Sequence, residues 1–207
     1  MTSAPTIALI DYGAGNVPSV ERALQKLGVA SKRVTQHGEL AGASALILPG
    51  VGHYAAIIRA LDEHNLRGPL LDAIHHGVPF LGICLGLQVL FSSSEEAPTL
   101  CGLNLFPGLV RSLPATVKLP HMGWNRLHIQ RNSQLLAGIS ESDYFYFAHT
   151  FAAAVFSGSN EVVATCSHGA NFIAVLEHKN IVATQFHPEK SGAAGAHLLN
   201  NFIGLAS

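Results

Sequence analysis

Val78-Pro79-Phe80-Leu81-Gly82-Ile83-Cys84-Leu85-Gly86-Leu87-Gln88-Val89-Leu90-Phe91 is the stretch on which the fold turns. Its first half is apolar, with branched and aromatic side chains, as in a buried strand. Its second half, Leu85 to Phe91, repeats apolar residues at helical spacing, with Gln88 as the only polar side chain. Between the halves, Gly82-Ile83-Cys84-Leu85-Gly86 puts a cysteine between two glycines at a strand-to-helix corner. That is the pattern of a nucleophile elbow, with sulfur in place of the serine oxygen. Such a corner needs backbone angles that a Cβ opposes, and small neighbours leave the sulfur accessible. At a helix N-terminus, unpaired N–H groups favour a thiolate and can face the oxyanion of a tetrahedral intermediate. Free cysteine also packs in cores as a small hydrophobe, so the chemical reading needs a partner base.

Upstream of the elbow, Ile7-Ala8-Leu9-Ile10 reads as a buried strand ending in Asp11-Tyr12-Gly13-Ala14-Gly15-Asn16. Pro18 opens a helix with Val17, Val20, Ala23, Leu24 and Leu27 on its apolar face, closed by Gly28. A short strand over 31–35 and a buried one over 45–48 follow, the latter ending in Pro49-Gly50-Val51-Gly52. Helices are predicted at about 53–65 and 69–76, with Pro69 at the start of the second and Gly77 just past its end. This alternation predicts a parallel α/β sheet. Ligands gather at the carboxyl ends of such strands, so Asp11–Asn16, Pro49–Gly52 and Cys84 belong to one face. The first glycine-rich loop lacks the third glycine of a dinucleotide site, and no acidic residue ends the second strand.

Downstream, residues 92–120 read as loop, with prolines at 98, 107, 114 and 120. Short strands are predicted at about 125–130, 144–147, 151–155, 161–167 and 171–177. A tight turn at Lys179-Asn180 leads to a last strand over 181–186, and a helix runs over 192–205. The expected fold is an open mixed α/β sheet, with mainly parallel central strands flanked by helices and antiparallel hairpins in the C-terminal half. A single domain is expected over 1–207.

Composition excludes several classes of function. Twelve Lys and Arg against 13 Asp and Glu give a net charge of -1, so there is no basic field to hold nucleic acid. Charged residues make up 12%, against about 25% in ordinary domains, which hints at a face covered by a partner. Three cysteines at wide spacing form no disulfide framework, which fits a reducing, cytoplasmic setting. Met1–Thr6 has no cationic region before its apolar residues, so no signal peptide is read there. The longest apolar run is too short to span a bilayer, and Pro79 and Gln88 break it. The twelve histidines are scattered without ligand spacing, so no metal is predicted.

The partner base lies in Phe186-His187-Pro188-Glu189. A thiolate needs a group to take its proton and return it to the leaving group, and histidine is the usual choice. A third group must hold the imidazole in one tautomer, and Glu189 stands two residues on, with Pro188 stiffening the link. A strand-end turn exposing both to solvent is the competing reading, and the elbow tips the balance. Cys84, His187 and Glu189 read as a triad.

Gly82-Ile83-Cys84-Leu85-Gly86-Leu87-Gln88 together with His187-Pro188-Glu189 resembles the class I, or triad, glutamine amidotransferases. Four further stretches resemble one branch of that family, the glutaminase subunits that work beside a barrel-shaped cyclase in histidine biosynthesis. These are Asp11–Asn16, Pro49–Gly52, Pro120-His121-Met122-Gly123-Trp124-Asn125 and Gln185-Phe186-His187-Pro188-Glu189-Lys190-Ser191. The resemblance runs from about residue 7 to the C-terminus.

The resemblance implies that Cys84 attacks the side-chain amide of glutamine, His187 protonates the leaving ammonia, and water hydrolyses the glutamyl thioester. It implies an oxyanion hole from the backbone N–H of Leu85 and that of Gly52 or Val51. Gly50, Gly52, Gln88 and the loop His149-Thr150-Phe151 would hold glutamine. Where the family pattern reads Tyr-Phe-Val-His-Ser-Tyr, this chain has Tyr146-Phe147-Ala148-His149-Thr150-Phe151. Any contact through the missing phenol is therefore lost, while backbone contacts survive. Ammonia is protonated in neutral water and is then no nucleophile, so it needs a sheltered path, and the resemblance implies a heterodimer with the cyclase. Asn16, Pro120, His121, Met122, Gly123, Trp124 and Asn125 would lie near the interface, and no cofactor is implied. A glutaminase of another synthase should lack the Pro120–Asn125 stretch. A thiol peptidase is disfavoured by Gln88, and a binding subunit with a decayed site by the complete triad.

Overall fold

A computed structural model describes residues 6–13, 15–155 and 160–206. Ala14 of the Asp11–Asn16 motif, and all but Thr6 of the N-terminal stretch read as lacking a signal peptide, lie outside the described residues. In chain order the N-terminal half runs β1 (Ile7–Ile10), α1 (Val17–Lys26), β2 (Ser31–Val34), β3 (Ala45–Gly50), α2 (Tyr54–Glu63), α3 (Arg67–His75) and β4 (Phe80–Cys84). A single turn, α4 (Leu85–Gln88), follows, then β5 (Phe91–Ser94) and β6 (Phe106–Ser112). The C-terminal half has β7 (His121–Arg126), β8 (His128–Ile129), β9 (Tyr144–His149), β10 (Phe151–Ala153), β11 (Val162–Ser167), β12 (Asn171–His178), β13 (Ile181–Thr184) and α5 (Gly192–Leu205).

Strands β1, β3 and β4 bury every residue, and strands apolar on both faces need a layer on each side. Ile7, Leu9, Ile47, Leu81 and Ile83 face α1 and α5, where they meet Val17, Val20, Leu24, Leu198 and Phe202. Ala8, Ile10, Leu46, Leu48 and Phe80 face α2 and α3, where they meet Tyr54, Ile57, Leu61 and Leu70. Among the described residues the main sheet has eight strands in the order β2-β1-β3-β4-β13-β12-β11-β8. β2, β1, β3, β4 and β13 pair in parallel, and β12, β11 and β8 continue antiparallel. This is the mixed α/β sheet that the alternation of strands and helices implies. β13 is the joint, antiparallel to β12 on one side and parallel to β4 on the other.

Two expectations about local structure are corrected. The apolar repeat over Leu85–Phe91 does not stay helical: the helix stops at Gln88, and Phe91 begins β5. The returning chain takes the carbonyls that a longer helix would use. Leu103 N donates to Val89 O at 2.7 Å, and Leu105 N and Phe106 N donate to Leu90 O at 2.9 and 3.1 Å. Residues 92–120 are also not all loop, because β5 pairs in parallel with β6, and β10 pairs with β6 from the other side. No helix among the described residues is long and apolar enough to cross a membrane.

Glycine at the elbow is set by close approach of backbones. A Cβ on Gly86 would lie 2.0 Å from Leu48 O, and one on Gly82 would lie 2.6 Å from Gly86 O. A Cβ on Gly50 would meet Leu85 Cβ at 2.6 Å. Gly86→Ala is therefore expected to destabilise the protein by about 1–3 kcal/mol or more through overpacking. A Cβ on Gly204 of α5 would meet nothing within 4 Å beyond its own helix backbone, so Gly204→Ala is expected to stabilise by about 0.5–1 kcal/mol. Thermal unfolding of the two variants should move in opposite directions.

Candidate active site

The carboxyl ends of four adjacent parallel strands supply the site. β1 leads to Tyr12 and Asn16, β3 ends at Gly50 and runs into Val51 and Gly52, β4 ends at Cys84, and β13 leads to Gln185, His187 and Glu189. Gly50 and Cys84 are register partners across β3 and β4. Cys84 has φ 55° and ψ -104°, a combination sparsely populated for a residue with a side chain. Strain of this kind costs on the order of 1–3 kcal/mol and persists where surrounding packing enforces it. The single turn of α4 presents the N–H groups of Leu85 and Gly86 but little macrodipole.

His187 is 2% exposed, and its Nδ1 lies 2.9 Å from Glu189 Oε1. The Glu189 side chain is 1% exposed. Its Oε1 also accepts from Asn16 Nδ2 at 3.1 Å, while Oε2 is buried without a partner among the described residues. Asn16 is the N-cap of α1, yet its side chain makes no capping bond. The amide that would ordinarily cap the helix instead holds the carboxylate. The turn is tied to β9 from both sides: His187 N donates to Tyr146 O at 2.9 Å, and Ser191 Oγ, which donates to His187 O at 2.6 Å, accepts from Tyr146 N at 3.0 Å. Burial opposes a charged His187 ring. The charge and hydrogen bond of Cys84 and those of Glu189 outweigh it and push the pKa up to about 10.

Val51, Gly52, Cys84, Leu85, Gln88, Pro120, Met122, His149, Thr150, Phe151 and His187 line one pocket of about 270 Å³. It thus gathers residues singled out from five separate parts of the chain. The Phe151 carbonyl accepts from Gln88 Nε2 at 2.7 Å and His149 Nδ1 at 2.9 Å. That contact makes His149 Nδ1 a donor, so its Nε2 accepts from His121 Nδ1 at 3.0 Å. His121 Nε2 in turn accepts from Asn125 Nδ2 at 3.3 Å, and both rings are neutral in this network. Burial, followed by the neighbouring histidine, lowers the pKa of His149 to about 3 and of His121 to about 4.

Within the Pro120–Asn125 stretch the strand alternates. Met122 and Trp124 are 65% and 55% exposed, whereas His121 is 5% exposed and stacks on Phe147 and His168. The His121 side chain therefore points inward, behind His149, and Trp124 is a surface residue with Tyr146 at its edge.

Four pocket neighbours escaped the sequence reading. Glu96 and Lys190 line the pocket, and Glu96 is held by Tyr54 N, which donates to its Oε2 at 2.7 Å. Tyr12 is buried with its pKa pushed up by desolvation, opposed by the Val51 backbone. Gln185 is fully buried and donates through Nε2 to Cys84 Sγ at 3.5 Å. The strand expected over 181–186 stops at Thr184 and the chain bends at Gln185 and Phe186, so the fold, not strand alternation, brings Gln185 to the sulfur.

The family model for class I glutamine amidotransferases matches residues 8–205. The chain is 49% identical over 198 residues to imidazole glycerol phosphate synthase subunit HisH of Methanothermobacter thermautotrophicus, covering 95% of this chain and 97% of that one. It is 44% identical over 202 residues to the HisH subunit of Deinococcus radiodurans, covering 97% and 94%. Against the chloroplastic imidazole glycerol phosphate synthase hisHF of Arabidopsis thaliana, identity is 40% over 98% of this chain but 34% of that longer protein. Among solved structures, a glutamine amidotransferase aligns with a TM-score of 0.77 at 21% identity, covering 97% of this chain and 98% of that one. PurLQS from Thermotoga maritima aligns at 0.78 and 19%, with the same coverage. The last two are likenesses of fold.

Proposed function

This chain belongs to the class I glutamine amidotransferases, as a HisH subunit of imidazole glycerol phosphate synthase, and from that premise we propose that Cys84, His187 and Glu189 hydrolyse glutamine through a glutamyl thioester. The observation that supports this most is the buried His187, held by Glu189 at 2.9 Å beside Cys84, whose charge and hydrogen bond raise the imidazole pKa. The Cys84 sulfur attacks the amide carbon of glutamine, forming a C–S bond and an oxyanion. The N–H of Leu85, with that of Gly52 or Val51, faces the oxyanion, and one such donor is worth ~2.7–4 kcal/mol in the transition state. The C–N bond then breaks as His187 passes its proton to the departing nitrogen. Neutral His187 next takes a proton from water, the hydroxide adds to the thioester, and the C–S bond breaks to return the electron pair to sulfur. Glutamine and water become glutamate and ammonia.

Gly52, Gln88, His149, Thr150 and Phe151 form the walls that hold glutamine, whereas Gly50 does not line the pocket but is buried at the end of β3 against Leu85. Glu96 is the one carboxylate among the described lining residues, and it complements the α-ammonium of an amino acid. Ammonia passes to a cyclase subunit in a heterodimer serving histidine biosynthesis. Asn16, Pro120, Met122, Gly123, Trp124 and Asn125 lie on the partner side, and residues 1–207 act as one domain. Exposed Met122 and Trp124 beside the pocket suit an interface anchor.

Glutamate release should be low for the chain alone and rise strongly with the cyclase subunit and its nucleotide ligand, with Cys84→Ala at the blank under both conditions. Full activity without a partner would overturn the partner-dependent reading. Activity in Cys84→Ala would overturn the nucleophile.

A further inference from the structure

We propose that Gln185 is a catalytic residue of the glutaminase reaction, donating from Nε2 to the Cys84 sulfur and stabilising the thiolate, with Gln88 holding the amide in that orientation. This rests on Cys84 being the nucleophile. Gln185 follows β13 directly, is fully buried, and is fixed by its backbone N–H to Ala174 O at 2.9 Å. Its Nε2 lies 3.5 Å from Cys84 Sγ, and its Oε1 accepts from Gln88 Nε2 at 3.2 Å.

The direction of these bonds follows from a backbone carbonyl. Phe151 O can only accept, so the group 2.7 Å away must be the Gln88 NH2 and not its oxygen. The second hydrogen of that NH2 then needs an acceptor, which is Gln185 Oε1. With Oε1 so engaged, Gln185 turns its own NH2 to the sulfur. A flipped Gln185 amide would set two NH2 groups against each other and an oxygen against the thiolate.

A thiolate is a far better hydrogen-bond acceptor than a thiol, so a fixed donor favours the charged form. The same bond matters twice per turnover. It weakens as sulfur gives up its charge during attack, and it forms again when the C–S bond of the thioester breaks and the pair returns to sulfur. A neutral amide does this without adding a proton that could titrate. Other titratable groups face the sulfur or its pocket: His187 after β13 with Glu189 behind it, Tyr12 after β1, and Glu96, His149 and Lys190 on the walls. The test therefore compares variants in which all of these are unchanged.

The measurement is the pH dependence of Cys84 alkylation by iodoacetamide on the full chain, with kcat and KM for glutamine in the synthase complex. Gln185→Leu is expected to raise the alkylation midpoint by about one pH unit, the size of a hydrogen bond to a charged group. Because the lost bond is one that forms as charge returns to sulfur on breaking the thioester, it should lower kcat by about tenfold with KM nearly unchanged. Gln185→Glu is nearly isosteric with glutamine and supplies the second readout if Gln185→Leu fails to fold. Its carboxylate beside the sulfur should raise the midpoint further. An unchanged midpoint in a folded variant, or a loss confined to KM, overturns the proposal while Cys84→Ala inactivity leaves the nucleophile in place. Turnover by Cys84→Ala would instead remove the nucleophile itself.

Discussion

Replacing His187 by alanine is expected to lower glutamate release by about 10³–10⁴-fold in the presence of the partner. In the proposed reaction the residue does two jobs that no neighbour duplicates. It holds the charge that pairs with the Cys84 sulfur, and it carries the proton from thiol to leaving ammonia. His149 is a pocket neighbour, but its Nδ1 is committed to Phe151 O and its Nε2 to His121. Alkylation should report the first job separately, with Cys84 reacting more slowly with iodoacetamide at neutral pH when the imidazolium is removed. Stability gives a third readout. A histidine whose folded pKa is raised to about 10 contributes stability in full below its unfolded value near 6.5, and that contribution is lost as pH rises through about 10. The wild type should therefore lose stability on the alkaline side, and His187→Ala should flatten that arm. A His187→Ala enzyme with near-normal turnover would remove His187 from the reaction.

The elbow was legible because its requirement is local: glycine on either side of Cys84 is dictated by the backbones of β3, β4 and α4 passing at contact distance. The parallel half of the sheet was legible for a similar reason, since strands such as Ala45–Leu48 are apolar at every position and tolerate no wet face. What the sequence hid depends on distant partners. Leu85–Phe91 has a helical repeat, yet the backbone N–H groups of Leu103, Leu105 and Phe106 claim the carbonyls of Val89 and Leu90, and tertiary pairing overrides propensity. β6 was masked by Pro107 and Gly108, which break the strand pattern without breaking the strand. Glu96 falls in the stretch that reads as loop. Only the fold brings it to the pocket, where the start of α2 holds it. The inward turn of His121 was implicit in strand alternation once β7 begins at residue 121, four residues earlier than its hydrophobic pattern indicates.

That inward turn makes the protein sensitive to acid. His121 and His149 are both buried and neutral, each ring already donating and accepting one hydrogen bond. Protonating either nitrogen that now accepts would break the bond to Asn125 or to His121 and place a cation beside another imidazole. With folded pKa values lowered to about 3 and about 4, the unfolded chain binds more protons than the folded one at every pH between those values and about 6.5. Unfolding is therefore favoured progressively as pH falls through that window, by on the order of a few kcal/mol for a pair that titrates jointly. The melting temperature should drop steeply from pH 6.5 toward 4. His121→Gln places an amide where it can still donate to His149 Nε2 without titrating, so its slope over that window should be shallower than that of the wild type. Equal slopes would show that the acid loss arises in the carboxylates or the exposed histidines instead. The consequence for the site is direct: the Phe151 carbonyl that orients Gln88 is also anchored by His149, so glutaminase activity should fall with the same pH profile as stability.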